Sequence, residues 1–593
     1  MVAPVPGKLR RIGIAAFAVA SLFVVPSIAS AATITPNVTT DDATLTNCTL
    51  RQAVTSIDTG IYVANCAAHA TGTLGTTDTV ALGSNTYQLT INVAGADDNN
   101  LEGDLDLFKP MSIVGTGSSS SAIQQTVGDE RVLDETATGQ NLSLSGLTIE
   151  GGTATGGGAG GGINFNGGGT VASLTLDHVV VTNNTNDGAI GAKGGGIYTN
   201  SPTTVTNSTI TGNSIATATG NGNGGGIYQD AGNGPAFFAG VTLTVQHSSI
   251  TNNSAANGNT LGLGSGGGIY RTTKVGDSTS TALIEDTAIS DNVAKNFGGG
   301  MYTDSDSPLS INKSLINGNS ALTQRGGGLQ TGSRTATQGS LSLVNSTITG
   351  NSANGVGGGV EVGSAPSSPV NAVLLFDTFA ANTAPGTGTD FAMSGLNGAS
   401  RPTLTLQGNL IAGDSALNAS NDCALDPSDP GNPPYFINVV NSGYNVTDTS
   451  TDLCGKGVGT GPGDHGGVLF PLVGALADHG GPTQTMIPTA SSFATDLMPN
   501  GTCTAISPAV TTDQRGYPRP GSTGGNCDAG AYESLTCNGS LLNTPTPLCV
   551  PPSTGGGGAG SATGRRAAAL KKCKKKRGKK RKKCLKKARR LPV

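Results

Sequence analysis

Three pairs of closely spaced carboxylates are the first candidates for chemistry in this chain: Asp97/Asp98, Asp104/Asp106 and Asp304/Asp306. Carboxylates gathered on one face can hold a calcium ion against an acidic sugar, with an Arg or Lys placed to take a proton. Two carboxylates flanking a glycosidic bond can instead hydrolyse it. The basic partners on offer are Lys193, Arg271, Lys274, Lys295, Lys313 and Arg325, and no acid–base pairing recurs among them. Alternation along a strand would put Asp104 and Asp106 on the same side, while Asp304/Asp306 follows a strand-like run in one repeat alone. These acids read as turn or loop residues. No catalytic residue and no metal ligand set is assigned. No cofactor is expected, calcium being the one candidate ion. If the chain is an enzyme, a polysaccharide lyase is the expected class.

A second set is aromatic. Tyr198, Tyr228, Tyr270 and Tyr302 each follow three glycines and one apolar residue. Stacked tyrosines on an outer face would offer a platform for sugar rings. The competing reading is a ladder that shields sheet backbone and fixes register. The absence of Trp and of any flanking partner motif favours the second.

The element that positions these tyrosines is a repeat. Gly-Gly-Gly-apolar ends at Ile163, Ile197, Ile227, Ile269, Met301, Leu329 and Val360, in steps of 28 to 42 residues. In phase with it runs an apolar residue with Asn three positions later: Val181/Asn184, Ile210/Asn213, Ile250/Asn253, Ile289/Asn292, Ile316/Asn319, Ile348/Asn351 and Phe379/Asn382. A unit of that length cannot bury its own apolar face, so the units must stack. The predicted fold is all-β, a right-handed parallel β-helix solenoid. Ile163 to Val360 form an inward ladder, the next residue in each coil points outward, and the Asn residues occupy left-handed corners and bond along the stack. Propeller blades need about forty residues or more, which the shorter steps exclude.

Charge divides the chain sharply. All 38 acidic residues precede Gly564, whereas 17 of the 34 basic residues lie from Arg565 onward. Residues 565–593 thus form a Lys/Arg-rich tail, disordered or helical, after a Gly/Ser-rich linker at 551–564. Such a tail suits a polyanionic wall polymer or an anionic membrane surface. No aromatics interleave with its basic residues, which argues against a nucleic-acid partner. Deleting it is expected to release the protein to the medium. At the other end, Lys8, Arg10 and Arg11, the apolar run 12–25 and Ala29-Ser30-Ala31 read as a signal peptide cleaved after Ala31. The expected location is secreted or at the cell surface. Disulfides suit that compartment, and the cysteines fall in local pairs: Cys48/Cys66, Cys423/Cys454, Cys503/Cys527, Cys537/Cys549 and Cys573/Cys584. Sequence leaves their connectivity open, and the five scattered histidines with no C-x-x-C give no zinc pattern.

Open solenoid ends need caps. Leu50, Ala53, Val54 and Ile57 have helical spacing, so a short helix clipped by Cys48–Cys66 can lid the first coil. The run Cys48-Thr49-Leu50-Arg51-Gln52-Ala53-Val54 resembles the CSLREA motif of bacterial exported β-helix proteins. Asp78-Thr79-Val80, Tyr87-Gln88-Leu89, Gly103 to Leu107 and Ile113-Val114-Gly115 are similar to that family's continuation. The coils resemble those of the pectate-lyase-like fold. Leu476 to Thr485, Asp513 to Pro520 and Cys527 to Glu533 are similar to the choice-of-anchor Q domain, although Met486 stands where that family often has His. The resemblance implies fold and envelope context and carries no activity over to particular residues.

The expected organisation is a signal peptide at 1–31, a cap at 32–77, the β-helix at 78–420, a disulfide-bearing C-terminal module at 421–550, then linker and tail. The expected function is a non-catalytic, monomeric surface or secreted protein engaged in adhesion or glycan and envelope interaction. The alternatives are a polysaccharide lyase or hydrolase acting on an acidic glycan, and a structural envelope spacer.

Overall fold

A computed structural model of the chain describes residues 31–542, apart from interior stretches of which the longest are 93–99, 257–263, 413–421, 426–436 and 449–460. The signal-peptide residues before Ala31, the linker, the tail and Asp97, Asp98 and Asp306 lie outside the described residues. So do Cys454, Cys549, Cys573 and Cys584.

The coils form a parallel β-helix of the right-handed type. Among the described residues its sheets hold fourteen, twelve, eleven and seven strands. The eleven-stranded sheet runs from Leu105–Asp106 to Cys423–Leu425, and its register places Ile163, Ile197, Ile227, Ile269, Met301, Leu329 and Val360 above one another. All seven are fully buried. The triple glycines follow from sterics. Gly194 has φ +72°, and a Cβ on Gly195 would lie 2.4 Å from the carbonyl oxygen of Gly225 in the next coil. Any side chain there would push the coils apart.

The asparagine ladder is interior. Asn213 donates its backbone N–H and its Nδ2 to Oδ1 of Asn253, at 3.1 and 3.0 Å, and Nδ2 also donates to the Val181 carbonyl at 2.9 Å. The backbone link runs from Asn184 to Asn382, and Asn382 Nδ2 closes the row on Asp390 Oδ1 at 2.7 Å. The left-handed corner is one residue earlier than expected: Asn183, Gly212, Asn252, Asp291, Gly318, Gly350 and Ala381 have positive φ. The αL residue turns the chain, which aims the following Asn inward, where only its neighbours in the stack can satisfy it.

Helix α1, Leu50–Thr59, lids the first coil with Leu50, Ala53, Val54 and Ile57 buried. Thr49 and Gln52 form a capping box, and the Cys48–Cys66 disulfide clips the helix to the following turn. Arg51 joins cap to coil, donating to Asp41 and to the carbonyls of Glu102, Gly103 and Asp104.

Coil strands continue past residue 420, to Val446–Thr447. The chain then returns along the flank of earlier coils through residues 461–534. Asn345 Nδ2 donates to the Thr512 carbonyl at 2.7 Å, Thr347 Oγ1 to Gln514 Oε1 at 2.6 Å, and Thr483 Oγ1 to the Lys313 carbonyl at 3.2 Å. The Cys503–Cys527 disulfide and the buried pairs Arg515–Asp513 and Arg519–Glu533 hold this segment. Cys423 is also disulfide-bonded. Residues from Leu535 onward form a separate unit, whose described part is an antiparallel pair, Leu535–Cys537 with Ser540–Leu542.

Candidate functional site

The acids gather at the start of the eleven-stranded sheet. Asp106 pairs with Asp134, and Asp134 with Asn164, on the side opposite the inward Leu105, Leu133 and Ile163. Carboxylate oxygens of Asp104, Asp106 and Asp134 lie within 4.8 Å of one another, the one such trio among the described residues. This is a donor set of hard oxygens suited to a divalent cation. A cation of the chain's own already stands in it. Arg131 reaches Asp134 and lies 3.8 Å from Asp104, and Asn164 Nδ2 donates to Asp134 Oδ1 at 2.7 Å. The Asn100 N–H donates to Asp106 Oδ2 at 2.9 Å. Burial, followed by the charge of Asp134 and opposed by Arg131, pushes the Asp104 carboxyl up to about 9. Glu135, pushed up to about 8 by burial and then by Asp134, has both carboxylate oxygens buried without a hydrogen-bond partner. Asp104 and Asp106 were expected in a turn or loop. Asp104 does lie in a bend, but Asp106 is in the strand that follows it, and the two are 3% and 2% exposed because α1, residues 100–104 and Arg131 close over them. Asp304 is in a strand.

Further along the same face the tyrosines stack as the repeat predicts. Ring centroids of Tyr198, Tyr228, Tyr270 and Tyr302 are 5.8, 4.7 and 5.0 Å apart in order. Lys193 Nζ lies 5.6 and 5.4 Å from the first two rings and 2.7 Å from Asp230 Oδ2, while Phe297 stacks on Tyr302 at 6.0 Å. The expected exposure fails: Tyr228 is 2% and Tyr270 7% exposed. Rings stacked at strand spacing cover each other's faces, and Lys193 and Phe297 cover the ends. A sugar platform needs a free ring face, which the central rings lack.

The fourteen-stranded sheet holds what the sequence concealed. At its edge His178, Asn207, His247, Asp286, Lys313 and Asn345 all have positive φ and occupy one corner, coil after coil. Two of the five histidines, His178 and His247, thus share a column. His178 Nδ1 lies 3.0 Å from Asp177, and His247 Nε2 3.3 Å from Asp286. Inside the corner a second polar ladder runs through Ser208, Ser248, Thr287, Ser314, Ser346, Asp377, Asn409 and Asn445, each accepting from the preceding coil's backbone N–H. A local signal exists in Asn207-Ser208-Thr209-Ile210, His247-Ser248-Ser249-Ile250 and Lys313-Ser314-Leu315-Ile316: the residue before Ser is the corner.

Where the returning segment meets this edge, an open groove of about 280 Å3 lies between Leu283, Ser310, Asn312, Lys313, Ser342 and Val344 on one wall and 509–512 on the other. No sequence motif marked it.

No protein-family model matches the chain, and no similar curated protein is found. The CSLREA and choice-of-anchor Q resemblances therefore rest on their motifs alone. Among solved structures the chain is similar to pectate lyase Pel9A, with a TM-score of 0.34 and 12% identity over 77% of this chain and 88% of that one. It is also similar to the A-module of the Azotobacter vinelandii mannuronan C-5 epimerase AlgE4, with a TM-score of 0.28 and 13% identity over 66% and 89%. Similarity at this level bears on neither substrate nor reaction.

Proposed function

We propose that this is a non-catalytic, exported β-helix protein that binds glycan in the cell envelope and is held at the surface by its basic tail. One observation carries the reading: among the described residues, the carboxylate trio and the tyrosine stack are committed inside the fold. The carboxylate trio is closed over and clamped by Arg131, and the stacked tyrosines lack free faces. Among the described residues a polar flank of Ser, Thr and Asn, with a groove in it, stays accessible. The Cys48–Cys66 and Cys503–Cys527 disulfides suit an oxidising compartment. The 17 positive charges of the tail supply salt-sensitive attraction to anionic wall polymer or lipid.

The test is cosedimentation of the full mature chain with isolated envelope polysaccharide, in parallel with the chain lacking residues 565–593. The full chain should pellet, and salt should weaken its retention. The truncated chain should bind more weakly and should appear in the medium when expressed in cells. Equal surface retention of both forms in moderate salt would refute the tail's role. Failure of the full chain to bind any envelope polysaccharide would refute the glycan reading.

A further inference from the structure

We infer that the groove between Ser310, Ser342 and Val510 is a subsite for one uncharged pyranose unit of a glycan, an assignment that rests on the glycan-binding reading above. The groove exists only because two distant parts of the chain meet. One wall is the outward face of three successive coils, and the other is the returning strip at 509–512. The walls are fixed by the Asn345–Thr512 and Thr347–Gln514 hydrogen bonds and by Arg519 Nη2 donating to Asn345 Oδ1 at 3.3 Å. A site so held needs little reorganisation on binding.

Its lining fits a sugar ring. Ser310 and Ser342 pair side by side on adjacent strands, so their outward hydroxyls stand one strand spacing apart. Neither hydroxyl has a partner among the described residues. Leu283 and Val344, with the edge of Val510, which is 8% exposed and otherwise packed in a buried cluster with Phe376 and Ile506, add an apolar patch of the kind that packs against the C–H face of a pyranose. At about 280 Å3 the groove falls just below the usual range of ligand pockets, which begins at roughly 300 Å3. That suits a single ring or chain terminus. The charge balance excludes an acidic sugar. Lys313, the cation in the lining, follows Asp286 in the corner column; burial pushes the Asp286 carboxyl up, and the charge of Lys313 opposes that rise. Glu285 accepts from Gln246 and Asn312 alongside. No unbalanced positive charge is left for a carboxylate or sulfate, whereas hydroxyl and amide groups remain for a neutral ring.

The experiment is isothermal titration of the full mature chain with short neutral oligosaccharides: β-1,4-glucan, α-1,4-glucan and β-1,4-linked N-acetylglucosamine. Ser342→Tyr fills the groove from the coil side and Val510→Arg from the opposite wall. Thr204→Tyr makes the same kind of change on the same outward row, away from the groove. The chain should bind at least one of the three sugars. The two filling variants should weaken that binding about tenfold or more, the Thr204 variant should leave it unchanged, and thermal melts should report which variants are folded. Binding by a folded filling variant equal to that of the unaltered chain would overturn the subsite while leaving the glycan reading standing. Silence toward all three sugars, with envelope polysaccharide still bound, would also overturn it. Silence toward the polysaccharide as well would remove the reading on which it rests.

Discussion

Two faces of the same solenoid received opposite endowments. The eleven-stranded face carries the carboxylate trio with Arg131 and the four stacked tyrosines, and nearly all of these are turned against one another. The fourteen-stranded flank carries Ser, Thr and Asn and keeps an open groove. Stacking explains the contrast. A parallel coil places like residues one strand spacing apart. Large or charged side chains at that spacing then meet their neighbours before they meet solvent, whereas short hydroxyls either bond along the stack, as Thr211 with Thr251 and Ser320 with Ser352 do at 3.2 and 3.1 Å, or stay available, as Ser310 and Ser342 do.

The largest effect that could break this comparison is at Arg131. Arg131→Ala removes the cation from three buried carboxylates and should cost about 3–5 kcal/mol, because uncompensated buried charge is severely destabilising. Urea denaturation checks it, and a loss near zero would mean the acids face solvent. In the same variant, calcium should raise the melting temperature, whereas the unaltered chain should show little response. Next, Tyr270→Ala in the middle of the stack should cost about 3 kcal/mol, as buried aromatic truncations do.

A pH titration of stability follows. Asp104, pushed up to about 9, and Glu135, pushed up to about 8, both chiefly by burial, hold protons in the folded chain that the unfolded chain releases near pH 4. Their stabilising contribution is present below the unfolded value and is lost as pH rises through 8 to 9. Stability should therefore fall between pH 5 and pH 9, and a rise across that range would contradict the burial of these acids. Smallest is the flank. Ser310→Ala and Ser342→Ala should each change stability by no more than about 0.5 kcal/mol, as surface substitutions do. A larger loss would mean these hydroxyls serve the fold.

Much of the fold was legible because a repeat imposes its own register. The spacing of Ile163 to Val360 names the inward ladder, and the helical spacing of Leu50 to Ile57 names the cap. The phase of the corner was not legible, since Asn183 and Asn184 share one residue type while one turns the chain and the other bonds within it. The closure of Tyr228 and Tyr270 was not legible either, because alternation gives a side chain's direction and says nothing of what covers it. The groove gave no local signal at all. It joins Asn345 to Thr512, 167 residues apart, and only the folded chain brings them together.

The central claim is that the acid and tyrosine face is structural, and its most direct measurement is a turnover assay. The full mature chain is incubated with pectate and with alginate, with and without calcium, and unsaturated product is followed by absorbance. The account predicts no product above that of an Asp134→Asn control. Calcium-dependent product from the unaltered chain, abolished in Asp134→Asn, would contradict it and would make the buried carboxylate trio an active site.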